Sequence, residues 1–156
     1  MNAFNPKPGH RSLRKGRVSL PNQAYLVTTT TLNRQAFFVD FAVACAAARC
    51  FEKPEILGDA HMLAWVLMPD HVHWLIQLGQ RDALNLVVNR LKSFSARMVN
   101  QVLRREGALW AVGYHDHALR ADEDLRVAAR YIVANPLRAR LVQRVADYPS
   151  CNAVWL

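Results

Sequence analysis

Acidic residues are scarce in this chain, in which 12 aspartates and glutamates stand against 20 lysines and arginines and leave a net charge of +8 at pH 7. Lysine is scarce as well, because only four of the 20 basic residues are lysine and sixteen are arginine. The planar arginine fork pairs with phosphate oxygens through two hydrogen bonds, so this charge favours nucleic acid as the partner. Composition alone leaves open that the arginine content reflects a GC-rich genome.

Cysteine and long apolar runs are equally limited. The three cysteines, Cys45, Cys50 and Cys151, form neither a Cys-x-x-Cys pair nor an even-numbered framework, so we expect reduced thiols. No apolar run approaches the roughly 20 residues of a transmembrane helix, and the basic N-terminus lacks the hydrophobic stretch of a secretory signal. These absences predict a soluble cytoplasmic protein that does not bind membranes.

The length and composition of the chain predict a single globular domain. With 156 residues, of which 52% are hydrophobic and 21% charged, the chain can form one substantial core but has no room for a second domain. Residues 1–20 contain five basic residues and no acidic one, which is typical of a disordered basic tail. The alternative is that this tail clamps DNA when DNA is present. We expect residues 21–156 to form the folded domain.

Hydrophobic patterns in the first half of the chain predict strands and one helix. The β-branched residues of 24–31 predict a first strand. Asp40 is a candidate N-cap for a helix over residues 41–51. Residues 61–68 are almost continuously apolar, which is typical of a strand covered on both faces. A Pro-Asp turn follows at 69–70, so we expect the next strand to form a hairpin with this one.

The second half of the chain completes an α+β pattern. Apolar residues recur at helical spacing from about residue 82 to 105, which predicts an amphipathic helix packed on a sheet. Residues 114–120 predict a further strand, and the segment around Tyr131 predicts a last helix. The resulting order of strand, helix, strand, strand, helix, strand and helix is the ferredoxin-like plan with one extra helix.

His71 and His73, separated by one apolar residue, are the most informative pair in the sequence. On a strand, alternate residues share a face, so the two imidazoles would project together, whereas on a helix they would point about 200° apart. Neutral imidazole is a common ligand of divalent ions, so the pair predicts a metal site. Surface histidines on a half-exposed strand are the alternative. His115 and His117 form a second pair of this kind, and physical reasoning alone does not choose between the two.

Tyr131 and Asn135 are candidate functional residues on the last predicted helix. Asp122 is the expected N-cap of this helix, and Pro136 limits its length. Residues four positions apart share a helix face, so the phenol and the amide would lie one turn apart and could supply a nucleophile and a metal ligand. An amphipathic core tyrosine followed by a C-terminal asparagine cap would explain the same residues.

Arginines also form a pattern on the long predicted helix. Arg90, Arg97 and Arg104 are seven residues apart and would form a narrow basic stripe. A stripe of this kind could contact a nucleic acid, but a solvated charged helix face is the usual explanation.

Three ordered segments resemble a known family. They are Met-Pro-Asp-His-Val-His at 68–73, Gly-Tyr-His-Asp-His-Ala-Leu-Arg at 113–120 and Tyr-Ile-Val-Ala-Asn-Pro-Leu-Arg-Ala-Arg-Leu-Val at 131–142. Together they resemble the HUH single-tyrosine transposases, and specifically the REP-associated tyrosine transposase branch, over about residues 16–149. Arg140 departs from the glycine expected at its position, in the turn after the helix.

The resemblance implies a fold, an activity and site residues. It implies a ferredoxin-like antiparallel sheet with helices packed on it, in a bacterial cytoplasmic, nucleoid-associated enzyme that cleaves and rejoins single-stranded or hairpin DNA at palindromic repeats. By position, His71, His73 and Asn135 become the ligands of Mg²⁺ or Mn²⁺, and Tyr131 becomes the nucleophile of a 5′-phosphotyrosine link. The metal or Arg130 would supply positive charge near the attacking phenol.

Supporting roles follow from the same resemblance. It favours the first histidine pair as the metal site, while His117 would support the site or touch DNA. Independently of the resemblance, Asp70 lies beside the first pair and could either orient an imidazole or serve only as a turn residue. Tyr25, Tyr114 and Tyr148 are competing tyrosines that we expect to be mainly structural. The candidate DNA contacts are Arg14, Lys15, Arg17, Arg90, Arg97, Arg104, Arg120, Arg130 and Arg138.

Two other functions remain open at this point. A domesticated hairpin-binding protein would keep the basic surface without cutting DNA. A metal-dependent hydrolase would use activated water at the histidines and would need no tyrosine. The sequence is compatible with either a monomer or a homodimer.

Overall fold

The computed structural model describes residues 19–120 and 123–155. The basic tail predicted for residues 1–20 lies outside the described residues apart from its last two positions, and Arg14, Lys15, Arg17 and Asp122 also lie outside them. Within the described ranges, no helix combines the length and apolar character that a bilayer crossing requires.

The described residues form one five-stranded antiparallel sheet. Its order is β4-β1-β3-β2-β5, so the two strands of the predicted hairpin, β2 and β3, lie near the centre. The α+β ferredoxin-like prediction is confirmed, with β5 as an additional edge strand that the sequence patterns did not indicate. The strands are β1 (Ala24–Thr30), β2 (His61–Met68), β3 (His71–Gln77), β4 (His115–Ala118) and β5 (Cys151–Ala153).

Within the described ranges, five α-helices and three short 3₁₀ segments surround the sheet. The α-helices are α1 (Phe41–Ala48), α2 (Pro54–Leu57), α3 (Leu84–Leu103), α4 (Leu125–Val133) and α5 (Asn135–Arg138). The 3₁₀ segments are Leu32–Arg34, Phe37–Val39 and Val145–Asp147.

The N-caps of two helices test the sequence predictions. Asp40 caps α1 as predicted, because its Oδ1 accepts a hydrogen bond from the backbone N–H of Val43 at 3.2 Å. For α4, the prediction of Asp122 as the cap is wrong. Asp124 is the cap, and its Oδ1 accepts from the backbone N–H of Arg126 at 2.7 Å. Asp124 directly precedes the first residue of the helix, whereas Asp122 lies two positions before this cap in the sequence.

The sheet separates two buried layers. Helices α1, α2 and α3 pack on one face, in a cluster that contains Trp74 of β3. Helix α4 packs on the other face, in a cluster that contains Leu75 of β3. β2 is buried on both faces, as its continuous apolar run predicted. A bulge between Met62 and Ala64 shifts the register of β2 against β3 and so determines which of its later side chains face α4.

Candidate active site

His71 and His73 project from β3 on the side covered by α4. His73 lies opposite Val66 in the β2–β3 pairing, and residues directly opposite each other share a sheet face. Val66 packs in the same buried cluster as Ile132 of α4. His71, two residues earlier on the strand, shares this face. The helix that carries Tyr131 therefore lies on the histidine face of the sheet.

Both imidazoles are held by hydrogen bonds at Nδ1. Nδ1 of His71 is 2.7 Å from Oδ1 of Asp70, and Nδ1 of His73 is 2.7 Å from Oγ1 of Thr28. The two ring centroids are 5.0 Å apart, and the rings are nearly perpendicular at 86°. Because Nδ1 is engaged in each ring, Nε2 is the atom left to bind a ligand. Partners of this kind orient metal-binding histidines in many proteins.

The surroundings of His73 keep its imidazole neutral. Burial, then the neighbouring His71 and then Arg138 lower the pKa of His73 to about 3. A neutral imidazole retains the lone pair that a metal ligand needs. Burial alone would raise the pKa of Asp70, but the hydrogen bond and charge of His71 and the charge of Arg34 outweigh it and lower that pKa. Arg34 also donates from Nε to Oδ2 of Asp70 at 2.9 Å, so the carboxylate has a partner on each oxygen.

Tyr131 is half-buried on α4, and a cation lies over its ring. The guanidinium carbon of Arg138 is 3.9 Å from the ring centroid. Nη2 of Arg138 also donates to the carbonyl oxygen of Tyr131 at 2.7 Å. The sequence predicts that the metal or Arg130 supplies positive charge near the phenol. Neighbours on a helix point about 100° apart, and the structure places Arg138, not Arg130, on the ring. No sequence pattern indicates this contact, because it depends on the break between α4 and α5.

Asn135 begins α5 and contacts the same arginine. Its Oδ1 accepts a hydrogen bond from Nη2 of Arg138 at 2.8 Å, and its Nδ2 is buried without a hydrogen-bond partner among the described residues. The residue predicted as the third metal ligand therefore directs its amide oxygen to Arg138. It could ligate a cation only by sharing or exchanging that contact.

The available donor atoms limit the kind of metal that fits. Among residues 19–120 and 123–155, no group of three or more His, Cys, Asp and Glu side chains could hold a metal ion. The donor set on this face is therefore two imidazole nitrogens, with the amide of Asn135 as the candidate third ligand. This set suits a first-row ion such as Mn²⁺ better than Mg²⁺, which prefers oxygen ligands.

The second histidine pair lies on the same face of the sheet. Thr28 of β1 is in register with both His73 of β3 and His115 of β4, so these three residues form a row across three strands. Two strand spacings place the backbones of His73 and His115 roughly 10 Å apart. Nε2 of His117 is 3.4 Å from Oε2 of Glu123, which precedes α4. The four histidines therefore share one surface, and His71 and His73 are the pair held at Nδ1 by Asp70 and Thr28.

The predicted DNA-contacting arginines divide between the two faces of the sheet. Arg130 and Arg138 are exposed on α4 and α5, and Arg120 is exposed just after β4. Arg97 and Arg104 are exposed on or at the end of α3, which covers the opposite face. Arg97 and Arg104 therefore lie on the face of the sheet opposite to Tyr131.

Arg90 requires a correction, because its guanidinium is used inside the protein. Its Nη2 is 2.7 Å from Oδ2 of Asp82, and its Nε donates to the carbonyl oxygen of Ile56 at 2.7 Å. These contacts hold α2 against the start of α3. Arg90 is a structural residue and not a member of an exposed basic stripe.

Two of the competing tyrosines have structural contacts. The hydroxyl of Tyr148 donates to the carbonyl oxygen of Leu67 at 2.6 Å, and burial raises the pKa of Tyr148 to about 12. Tyr25 is 4% exposed, and its hydroxyl accepts a hydrogen bond from the backbone N–H of Leu20 at 3.0 Å. Both contacts support the prediction that these hydroxyls stabilise the fold.

Arg140 occupies a left-handed backbone conformation, with φ of 58°. Such a φ is favourable for glycine and costs other residues free energy. A glycine, which the resemblance led us to expect at this turn, would adopt this conformation without that cost.

Sequence comparison identifies relatives of the chain. The family described as "Transposase IS200 like" matches residues 19–135. The REP-associated tyrosine transposase of Escherichia coli K12 is 27% identical over 88 residues, which cover 55% of this chain and 50% of that protein. A Haemophilus influenzae protein with the provisional name of REP-associated tyrosine transposase is 30% identical over 97 residues, covering 56% of this chain and 55% of that protein. The chain thus spans about half the length of the curated relatives it matches.

Solved structures agree with this assignment at the level of the fold. A REP-associated tyrosine transposase bound to a REP hairpin superposes with a TM-score of 0.66 at 20% identity, over 86% of this chain and 79% of that one. A provisionally assigned transposase from Deinococcus radiodurans gives a TM-score of 0.54 at 20% identity, over 86% of this chain and 97% of that one. The family match spans most of the chain and includes the histidine pair, Tyr131 and Asn135. This protein therefore belongs to the IS200-like transposase family, and the REP-associated tyrosine transposases are the branch that it resembles.

Proposed function

We propose that this protein binds single-stranded or hairpin DNA and cleaves and rejoins it through a covalent link to Tyr131. The observation that carries the proposal is the position of α4, which brings the helix of Tyr131 onto the sheet face that carries His71 and His73. The hairpin bound to a solved relative supports the same class of partner for this chain.

In this proposal, Nε2 of His71 and His73 would hold a divalent cation, with Asn135 as the third ligand. Such an ion, when bound, would neutralise charge on a non-bridging oxygen of the scissile phosphate. Asp70 and Thr28 would hold the two rings in place from behind. The two imidazole donors make Mn²⁺ the better choice for a first assay.

The hydroxyl oxygen of Tyr131 would attack phosphorus and form a 5′-phosphotyrosine. The bond from phosphorus to the 3′ oxygen breaks, the phenol loses its proton, and the departing 3′ oxygen gains one to become a hydroxyl group. Arg138 would stabilise the negative charge that develops on the phenol during attack. Because the link to Tyr131 retains a phosphodiester bond, another 3′-hydroxyl can reverse the step and join a different strand without a nucleotide cofactor.

The test is the capture of the covalent adduct. Single-stranded DNA that contains a palindromic hairpin and is labelled at its 3′ end, on the fragment that a 5′-phosphotyrosine retains, is incubated with the protein and Mn²⁺. The mixture is then denatured and separated by gel electrophoresis. We expect a labelled protein band that disappears in Tyr131→Phe and decreases strongly in His71→Ala. Tyr114→Phe is the matched control, because it removes a hydroxyl from a residue that packs with the cluster on the opposite face.

Each alternative function has its own outcome in this assay. Intact DNA that is retained by the native protein without an adduct would indicate a hairpin-binding protein that does not cut. Cleaved DNA without an adduct, at an equal rate in Tyr131→Phe, would indicate hydrolysis by activated water. A full yield of adduct from Tyr131→Phe would refute the assignment of the nucleophile.

A further inference from the structure

A cavity lies on the flank of α4 away from Tyr131. It has a volume of about 250 Å³ and opens between α4 and β5. We call it the α4–β5 pocket. Its lining residues are Arg126, Ala129, Arg130, Val133, Ala153 and Trp155.

The geometry of α4 separates this pocket from the phenol. Arg126 and Arg130 are four residues apart, so both side chains leave the same flank of the helix. Tyr131 follows Arg130 by about 100° around the helix axis. A strand of DNA held near Tyr131 therefore needs to cross only α4 to reach the pocket. An α-helix with its side chains is about 10 Å wide.

The two arginines in the pocket are available to an anion. Both are exposed, and neither guanidinium has an ion pair or hydrogen bond with any other residue that the structure describes. The lining contains no acidic residue. Arginine recognises phosphate oxygens through paired hydrogen bonds, so the charge of this pocket is suited to a phosphate group.

Trp155 adds an aromatic surface at the same place. It is 39% exposed, whereas Trp65, Trp74 and Trp110 are at most 7% exposed. Ala153, beside it in the pocket, is small and buried, which leaves room for a flat ring. Aromatic side chains next to basic residues are the usual way in which proteins hold bases of single-stranded nucleic acids.

We propose that the α4–β5 pocket binds one unstacked nucleotide of the DNA strand, with its base on Trp155 and its phosphate at Arg126 and Arg130. The proposal rests on the proposed function, because it makes the pocket a second anchor for the strand that is cleaved at Tyr131. A base inside a duplex is stacked on its neighbours, so the pocket selects single-stranded DNA.

The test uses the intrinsic fluorescence of Trp155. The full chain carrying Tyr131→Phe, which should prevent adduct formation, is titrated with a 15-nucleotide single strand, with the corresponding duplex, and with a strand of equal length that lacks bases. Since the other three tryptophans are buried, stacking on Trp155 should dominate the quenching. We expect quenching by the single strand, little by the duplex, and binding without quenching by the abasic strand.

Variants separate stacking from general attraction. Loss of one base–aromatic stack corresponds to affinity roughly 5- to 150-fold weaker, so we expect a decrease in this range for Trp155→Leu and a smaller one for Trp155→Phe. Arg130→Ala should also weaken binding. Arg81→Ala is the control for net charge, because Arg81 is an 80% exposed arginine outside the pocket. Arg81 differs from Arg130 in lying 3.6 Å from a carboxylate oxygen of Asp59. Thermal unfolding of each variant checks that the fold is retained.

The outcomes distinguish this pocket from the proposed cleavage. If the single strand binds without quenching, or if Trp155→Leu binds as tightly as its parent, the pocket proposal is refuted even when the unmodified chain forms the adduct. If quenching is specific to the single strand but no adduct forms with Tyr131 present, the pocket is supported and cleavage by Tyr131 is refuted. An equal loss of affinity in Arg81→Ala and Arg130→Ala would reduce the role of Arg130 to long-range attraction and would also count against the pocket.

Discussion

Replacement of Arg138 tests how the charge on the Tyr131 ring contributes to the reaction. Arg138→Gln keeps a side chain that can donate a hydrogen bond to Asn135 but removes the cation that lies 3.9 Å from the ring centroid. Negative charge develops on the phenol as it attacks phosphorus, so loss of the cation should slow adduct formation at saturating DNA.

The magnitude follows from the distance and from solvent exposure. Two unit charges about 4 Å apart attract by about 1 kcal/mol in water and by about 4 kcal/mol near a protein surface. Because Arg138 is exposed, we expect the lower part of this range, about 1–2 kcal/mol, which corresponds to a rate about 5- to 30-fold lower. Arg138→Lys keeps the charge but not the planar fork, so it should lie between the parent and Arg138→Gln.

The assay is single-turnover formation of the covalent adduct at saturating Mn²⁺ and saturating labelled strand. Arg130→Gln is the matched control, since it makes the same change on the flank of α4 that faces the α4–β5 pocket. We expect it to raise the DNA concentration needed for half-saturation and to leave the saturated rate unchanged. An Arg138→Gln protein that attacks at the rate of the parent, or equal rate losses in both variants, would refute the role given to Arg138.

Four further predictions concern the site and the scaffold. Thr28→Val should weaken Mn²⁺ binding about 10- to 100-fold by releasing Nδ1 of His73, which a Mn²⁺ titration of adduct yield would detect. Arg90→Ala should lower the free energy of unfolding by about 1–3 kcal/mol in urea denaturation and leave the affinity for DNA unchanged, since its bonds are internal. Arg140→Gly should stabilise the protein by up to about 1 kcal/mol in the same assay, because it removes a left-handed arginine. Because the pKa of Tyr148 is raised to about 12, the protonated hydroxyl should stabilise the fold fully below about pH 10, and this stabilisation should disappear as the pH rises towards 12. Tyr148→Phe should abolish this pH dependence of the free energy of unfolding.

The central strands of the fold could be predicted from the sequence, because their patterns are strong. The continuous apolar run of β2 and the alternation around His71 and His73 both specify buried strands, and the Pro-Asp turn between them specifies a hairpin. β5 could not be predicted, since Cys151–Ala153 is too short to show a period. The cap of α4 was misplaced because three acidic residues occur in a row at 122–124, and only the local backbone decides which of them accepts the hydrogen bond.

The candidate site was predictable in its residue types but not in its contacts. The sequence indicated Tyr131, Asn135 and Arg138 separately, whereas the hydrogen bonds that join them depend on the break between α4 and α5. No sequence pattern indicated that Thr28 contacts His73, because this contact depends on the register between β1 and β3. Residues that act across strands require the pairing of the sheet, which a single sequence does not specify.

Two segments with the same charge show why a count of basic residues does not locate a DNA-binding surface. Residues 84–105 and 125–146 each contain five basic residues and no acidic one. In the first segment, Arg90 is paired with Asp82, and Nζ of Lys92 donates to the carbonyl oxygens of Ala111 and Gly113 at 2.8 and 2.9 Å.

These internal contacts reduce the charge that α3 can offer to a phosphate. Burial also lowers the pKa of Lys92, which is consistent with its role in holding the loop before β4. In the second segment, by contrast, Arg126 and Arg130 have no acidic partner among the described residues, and Arg138 bonds only to neutral oxygen atoms. Exposed positive charge therefore lies on both faces of the sheet, at Arg97 and Arg104 on the α3 side and on α4 and α5 on the other side. The group on α4 and α5 shares the face of His71 and His73, so under the proposed function a DNA strand attracted to it would be delivered next to Tyr131.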